Sequence, residues 1–213
     1  MARSNYGPFG PFTGKLGPMN GYILRGKGVL RLNPHITKPR SVNQLAVQQR
    51  MQVLSPFLNL IKIYLRVGFE LAGIENGNSA NNSAKSYNLT NSVKGIYPTQ
   101  EVDYPAVRLT EGSLALPLNP LISPVAGGID FTWDFDQYER SGSGFDRTML
   151  MAYIPVKNVC FYVIGGALRS SRFEHLPIMP GLQGLEAETY LSFIRDDRSS
   201  ISNSVYTGKV VVV

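Results

Sequence analysis

"RTMLMAYIPVKNVCFYVIGG", residues 147–166, contains two short runs of apolar, aromatic and β-branched residues on either side of a proline and an asparagine. Such runs, bounded by turn residues, are typical of β-strands. Similar runs recur in this half of the chain: "AVRLTEGSL" (106–114), "GIDFTWDFD" (128–136), "ETYLSFIRD" (188–196) and "SVYTGKVVVV" (204–213). No helical periodicity lies between them. From about Tyr104 onward the sequence therefore predicts an antiparallel β-sandwich of immunoglobulin or fibronectin type III character.

Two of these runs carry further information. In the run at 128–136, apolar residues alternate with Asp and Thr; the apolar residues are Ile129, Phe131, Trp133 and Phe135. This alternation is typical of a half-buried strand and predicts that Trp133 lies in the core. The last run, 204–213, is apolar to its end. Because an exposed valine edge invites association, this strand must pair within its own sheet or with another chain, and pairing within the sheet is favoured.

The N-terminal region predicts a hairpin. In "NGYILRGKGVLRL" (20–32), the expected strands are Tyr22–Leu24 and Val29–Leu30, with a turn at Gly26–Gly28. Gly-Pro pairs recur upstream of it, and they predict an arm that does not pack as a regular element by itself.

A single helical region follows. Ser41 and Gln44 have the spacing of a capping box, and the apolar residues after them predict one stripe along a helix that ends near Gly68. The stripe consists of Val47, Met51, Leu54, Leu58, Ile61 and Leu65. Pro56 predicts either a kink or two helices, the second capped by Ser55. The Asn- and Ser-rich residues 73–95 predict a loop with a short helix at Ala80–Ser92. Two domains are expected, residues 1–100 and 101–213, giving a mainly β fold of the α+β class.

Charge is distributed unevenly along the chain. The net charge is +6, yet residues 1–66 contain ten Lys or Arg and no acidic residue, so all fifteen Asp and Glu lie further on. Such a segment suits nucleic acid or an acidic neighbouring subunit, and a merely solvated basic surface is the alternative.

The sequence offers little for catalysis. The glycine-rich stretch at 10–31 has three residues instead of four between Gly10 and Gly14, and Leu16 replaces the hydroxyl of a nucleotide-binding loop, so this motif is excluded. The acidic residues of 130–139 fit the wet face of a strand better than a calcium site. With a single cysteine, Cys160, interpreted as a small buried residue, and two histidines, we expect no enzyme, no metal site and no cofactor. No membrane span or secretory signal is apparent, which predicts cytoplasmic synthesis.

Several stretches resemble a known family. "FTGKLGPMNGYILRGKGVLRLNP", "TKPRSVNQLAVQQRMQVLSPFLNLIKIYLRVGF" and "ETYLSFIRDD" are similar to an uncharacterised protein family associated with Bacteroidota and their mobile elements. The resemblance implies a glycine hairpin, a Gln/Arg helix and an immunoglobulin-like tail. It transfers no activity, and a similar arrangement in proteins of phage-like loci favours a virion part.

These observations favour a non-enzymatic structural subunit of a phage virion or similar assembly, a homo-oligomer or one of several subunits. A nucleic-acid-binding protein and a carbohydrate-binding surface module are the alternatives. The residues expected to contact a partner or nucleic acid are Lys15, Tyr22, Arg25, Lys27, Arg31, Lys38, Arg40 and Arg50.

Overall fold

A computed structural model describes residues 3–4, 10–24, 26–34, 37–138 and 141–213. The chain divides into two compact units, residues 1–41 and 42–213, which we call the N-terminal sheet and the body. The boundary predicted at residue 100 falls inside the body, because the helices after residue 42 share a hydrophobic core with the later strands.

The N-terminal sheet is antiparallel and follows chain order, with strands β1 (Arg3–Ser4), β2 (Phe12–Leu16), β3 (Met19–Leu24) and β4 (Lys27–Leu32). The predicted hairpin is present, but its predicted turn is wrong. Leu24 pairs with Lys27, so Lys27 and Gly28 are strand residues.

The prediction of an arm without regular structure is wrong for residues 12–16, which form β2. Leu16 pairs with Met19, so Gly17 and Pro18 alone connect β2 to β3. Gly17 has a φ of 55°, a left-handed conformation that glycine adopts without strain. The Gly-Pro pair therefore makes a tight connection between strands instead of preventing them.

Four helices open the body: α1 (Val42–Leu60), α2 (Lys62–Gly68), α3 (Glu70–Glu75) and α4 (Ala80–Asn91). The helix predicted in the Asn-rich segment is confirmed as α4, with the Ser79 side chain accepting a hydrogen bond from the Asn82 amide. The two-helix alternative beginning at Ser55 is wrong. Helix α1 continues through Pro56, and the interruption occurs at Ile61.

The predicted apolar stripe is buried along only part of its length. Leu54, Leu58, Ile61 and Leu65 are almost fully buried, whereas Val47 is 59% exposed and Met51 is 40% exposed. The stripe therefore extends beyond the hydrophobic core of the body.

The remaining elements of the body are short 3-10 turns and β-strands. The strands are β5 (Val93–Lys94), β6 (Glu101–Val102), β7 (Leu118–Val125), β8 (Gly128–Asp134), β9 (Arg147–Ile154), β10 (Val159–Leu168), β11 (Phe173–Pro177), β12 (Glu186–Ile194) and β13 (Val205–Val211). A small hairpin joins β5 to β6, and two antiparallel sheets have the orders β10-β9-β12-β13 and β11-β8-β7. A mainly β chain with antiparallel sheets is thus confirmed.

The strand predicted at 106–114 is wrong. These residues follow a 3-10 turn at Tyr104–Ala106, and their backbone groups find partners outside a ladder. The Arg108 amide donates to the Asn88 side chain, and the Leu109 amide donates to the Ser204 hydroxyl. The edge strands β7 and β11 were not predicted. Pro120 and Pro124 conceal the first, since proline within a run normally argues against a strand.

Strand β9 explains why the run at 147–154 is apolar without alternation. Met149, Met151 and Tyr153 pack against the helices, while Leu150 and Ala152 face the three-stranded sheet. The body therefore has three layers: helices, the four-stranded sheet and the three-stranded sheet. A strand buried on both faces needs apolar residues at every position.

The two sheets enclose the second core, which contains Trp133 as predicted. The C-terminal run also behaves as predicted. Strand β13 pairs with β12 from Glu186–Val211 to Leu191–Val205, so its valines are used inside the chain's own sheet.

Candidate functional site

The register of the N-terminal sheet collects four predicted contact residues on one face. Lys15 pairs with Asn20, and Asn20 pairs with Arg31, so these three residues form one row across β2, β3 and β4. Directly paired residues share a face, as do residues two apart along a strand. Tyr22 therefore lies beside this row, and Lys27 lies further along β4. We call Lys15, Asn20, Tyr22, Lys27 and Arg31 the basic face.

All five side chains of the basic face are exposed. Leu24 and Val29 lie between them on the same side of the sheet. No carboxylate precedes Glu70 in the sequence, so the N-terminal sheet has no acidic side chain that could neutralise its cations. The face consequently presents three cations beside the exposed Tyr22 ring, and the sheet itself supplies no acidic partner for them.

The opposite side of the sheet is apolar. Leu16, Met19, Ile23, Leu30 and Leu32 alternate with the residues of the basic face, and we call them the apolar face. Four of them are between 42% and 67% exposed. An amphipathic sheet with its apolar side open to solvent is costly in water and is typical of a surface that meets a partner.

Two glycines of this unit, Gly21 and Gly28, lie where another segment of the chain passes close to the strands. A side chain at Gly21 would meet the backbone and ring of Phe12, and a side chain at Gly28 would meet the Pro11 ring. Residues 11 and 12 thus lie over the strands at these two points, and they line a small pocket with Gly10 and Leu30.

We expect Gly21→Ala to disrupt the N-terminal sheet selectively. The added methyl group would meet the Phe12 backbone, which a side-chain rotation cannot relieve. Hydrogen exchange should become faster for amides of residues 12–32 and remain unchanged in β9 and β12. Asn20→Ala, at the exposed neighbouring position of the same strand, should leave both regions unchanged. Equal exchange in the two variants would contradict the role assigned to Gly21.

Three other predicted contact residues, Lys38, Arg40 and Arg50, are not part of the basic face. Lys38 and Arg40 are exposed in the segment before α1, and Arg25 lies outside the described residues. Arg50 belongs to α1 in the body. In the amide orientation that satisfies its neighbours, the Gln100 oxygen accepts a hydrogen bond from Arg50 Nε at 3.2 Å, which gives Arg50 a role in holding the segment after β5.

A polar row on the three-stranded sheet was not predicted. Ser123 pairs with Asp130, and Asp130 pairs with His175, whose Nδ1 lies 2.7 Å from the Asp130 carboxylate. The carboxylate stands in the middle of the row. A relay that activates serine needs the imidazole in that position, so this row is not a nucleophilic triad. Asp130 was recognisable as an outward residue of β8, but no sequence pattern indicated that β11 would bring His175 beside it.

Other reactive groups are held in structural roles. Burial raises the pKa of the Cys160 thiol, which disfavours the nucleophilic thiolate. Asp134 accepts from Asn119, and Asp136 accepts from the Tyr138 amide. Within the described ranges, no three His, Cys, Asp or Glu side chains are grouped as metal ligands would be. None of the helices in those ranges has the length and hydropathy needed to cross a membrane.

A comparison with known protein families finds one that matches most of the chain. Residues 11–208 match the signature described as "Family of unknown function (DUF6266)". The chain belongs to the DUF6266 family. The matched range includes β2, β3 and β4 together with nearly all of the body, so the basic and apolar faces lie within the family's own region. No curated protein and no solved structure matches this DUF6266 chain.

Proposed function

We propose that this DUF6266 protein is a non-enzymatic structural subunit of a multi-subunit assembly. The observation that carries the proposal is the apolar face, on which Leu16, Ile23, Leu30 and Leu32 remain exposed. A sheet of this size gains stability when its apolar side packs against a second layer, as in a sandwich of two sheets.

The occupant of the apolar face is the same face of a second copy. Two copies packed through it bury leucine and isoleucine against each other while their basic faces point away from one another. Pairing along the outer strand β4 would instead bring Lys27 and Arg31 of both copies together, which like-charge repulsion disfavours. A contact that uses one patch on both copies is the commonest arrangement in homo-oligomers.

A second exposed surface would extend such a pair into a larger assembly. Val47 and Met51 continue the buried stripe of α1 into solvent, and they belong to the body. A subunit with two different contact surfaces can join more than one neighbour, whereas a single isologous contact closes at two copies.

The proposal extends to the fold of strands β7 to β13 and to the biological origin of the protein. Lettered A to G along the chain, strands β7 to β13 have the sheet orders E-B-A and D-C-F-G. This order supports an immunoglobulin or fibronectin-like sandwich, with the fourth strand on the sheet of the third. The sequence resemblance supports an origin in Bacteroidota mobile elements and incorporation into a phage virion after synthesis in the cytoplasm.

The double variant Ile23→Thr/Leu30→Thr tests the apolar contact. Threonine retains strand propensity but removes apolar surface, so the sheet should fold while self-association weakens. Because each substitution acts on both copies, we expect the dissociation constant to rise by at least about tenfold. Sedimentation equilibrium over a range of protein concentrations measures it.

Leu24→Thr/Val29→Thr is the matched control, since it also replaces two aliphatic residues by threonine, on the opposite side of the same strands. The control should associate like the unmodified chain. A chain that stays monomeric at every concentration, or a control that weakens association equally, would overturn the proposed contact.

A further inference from the structure

We propose that the basic face binds single-stranded nucleic acid. This proposal is independent of the apolar contact, because the two faces lie on opposite sides of the N-terminal sheet. It assigns the exposed row Lys15, Asn20 and Arg31 to the phosphate backbone and Tyr22 to a base.

Charge supports a polyanion as the ligand. Lys15, Lys27 and Arg31 are exposed on a sheet with no carboxylate of its own, so no internal ion pair must be broken when a ligand binds. Neighbouring strands are about 4.8 Å apart, which places the Lys15 and Arg31 backbones roughly 10 Å apart with Asn20 between them. Cations arranged in this way follow an extended chain of phosphates and release its counterions.

Tyr22 favours nucleic acid over an acidic protein as the ligand of the basic face. Tyr22 is 38% exposed and stands two residues from Asn20 along β3, beside the cationic row. A base can stack on its ring while the adjoining phosphates meet Lys15 and Arg31. Stacking of this kind requires an unpaired base, since duplex bases have no free face. The amide of Asn20 adds a hydrogen-bond donor and acceptor beside the ring.

Binding of a fluorescein-labelled twelve-residue oligothymidylate to the full chain tests the proposal. The unmodified protein should bind at low salt, and its affinity should fall as salt rises. Lys15→Ala/Arg31→Ala should weaken binding about tenfold or more and lower the salt slope by about 1.4, because about 0.7 is lost for each of the two phosphate contacts with a single strand. Tyr22→Ala should weaken binding about fivefold or more with the salt slope unchanged.

Three controls make the outcome decisive. Lys62→Ala/Arg66→Ala removes two exposed cations from α2 and should leave binding unchanged. Lys15→Arg/Arg31→Lys keeps the charge and should bind normally, which separates loss of charge from loss of folding. Sedimentation of Lys15→Ala/Arg31→Ala should show normal self-association, so failure of this proposal is distinguishable from failure of the apolar contact.

Several results would overturn the proposal. One is absence of oligothymidylate binding at low salt. Another is equal binding of a polyglutamate peptide together with no effect of Tyr22→Ala, which would assign the basic face to an acidic protein. Equal weakening by the α2 control would show diffuse attraction to the basic segment as a whole.

Discussion

Arg169→Ala should lose about 3–5 kcal/mol of unfolding free energy. Arg169 is 2% exposed and lies in the 3-10 turn Arg169–Ser171, which connects β10 to β11. Its guanidinium lies 3.4 Å from the Asp146 carboxylate, which is also buried, so the substitution leaves an uncompensated negative charge in a site with little water.

Further contacts add to this loss. The Arg169 guanidinium donates to the carbonyl oxygens of Ala115 and Leu116 and stacks 4.4 Å from the centre of the Phe193 ring. Truncation would leave both carbonyl groups without this donor and would open a cavity beside the ring. The arginine thus joins the segment before β7 to the core strand β12.

Urea denaturation followed by tryptophan fluorescence measures the change directly. Trp133 is the single tryptophan, and its indole donates to the Arg169 carbonyl at 2.7 Å. Arg66→Ala, an exposed arginine of α2, should change stability by less than about 0.5 kcal/mol. Arg169→Met/Asp146→Ala should be more stable than Arg169→Ala, because no unpaired charge remains. Equal stability of Arg169→Ala and Arg66→Ala would show that the buried pair contributes nothing.

The sequence predicted the strands whose own residues form a continuous or alternating apolar run. Strands β8, β9, β10, β12 and β13 have continuous or alternating apolar runs, so each was identified from its own residues. The prediction was wrong where backbone groups form hydrogen bonds with residues that are distant in the sequence. Residues 106–114 are apolar enough for a strand, but their partners are a helix side chain and a serine almost one hundred positions away.

The candidate site was likewise predicted only in part. Its basic residues were evident from composition, but their arrangement depended on register. With the turn at Gly26–Gly28, the alternation of β4 relative to β3 was undefined, and only the Leu24–Lys27 pairing places Lys27 and Arg31 beside Tyr22. The apolar face was missed because only Ile23 and Leu30 of its five residues were assigned to strands. A one-residue difference in a turn thus decides which side chains share a surface.

Asn88→Ala should lose about 3 kcal/mol of unfolding free energy. Asn88 is fully buried in α4, where its side chain pairs with the backbone of Arg108 in the manner of a neighbouring strand. Its Nδ2 donates to the Arg108 carbonyl at 2.8 Å, and its Oδ1 accepts from the Arg108 amide at 2.9 Å. The same oxygen accepts from the Ser92 hydroxyl. Truncation leaves the Arg108 amide and carbonyl without these partners, at about 1–3 kcal/mol for each group that water cannot reach.

Asn91→Ala is the matched control, because Asn91 lies on the same helix and donates only to the Tyr87 carbonyl within it. We expect Asn91→Ala to change stability by less than about 0.5 kcal/mol. Hydrogen exchange at the Arg108 amide should accelerate in Asn88→Ala and stay slow in the control. If both variants unfold at the same urea concentration, the asparagine does not hold residues 106–114 in place. The expected loss would instead show that the Asn88 side chain holds the Arg108 amide and carbonyl, two backbone groups that a neighbouring strand would otherwise use.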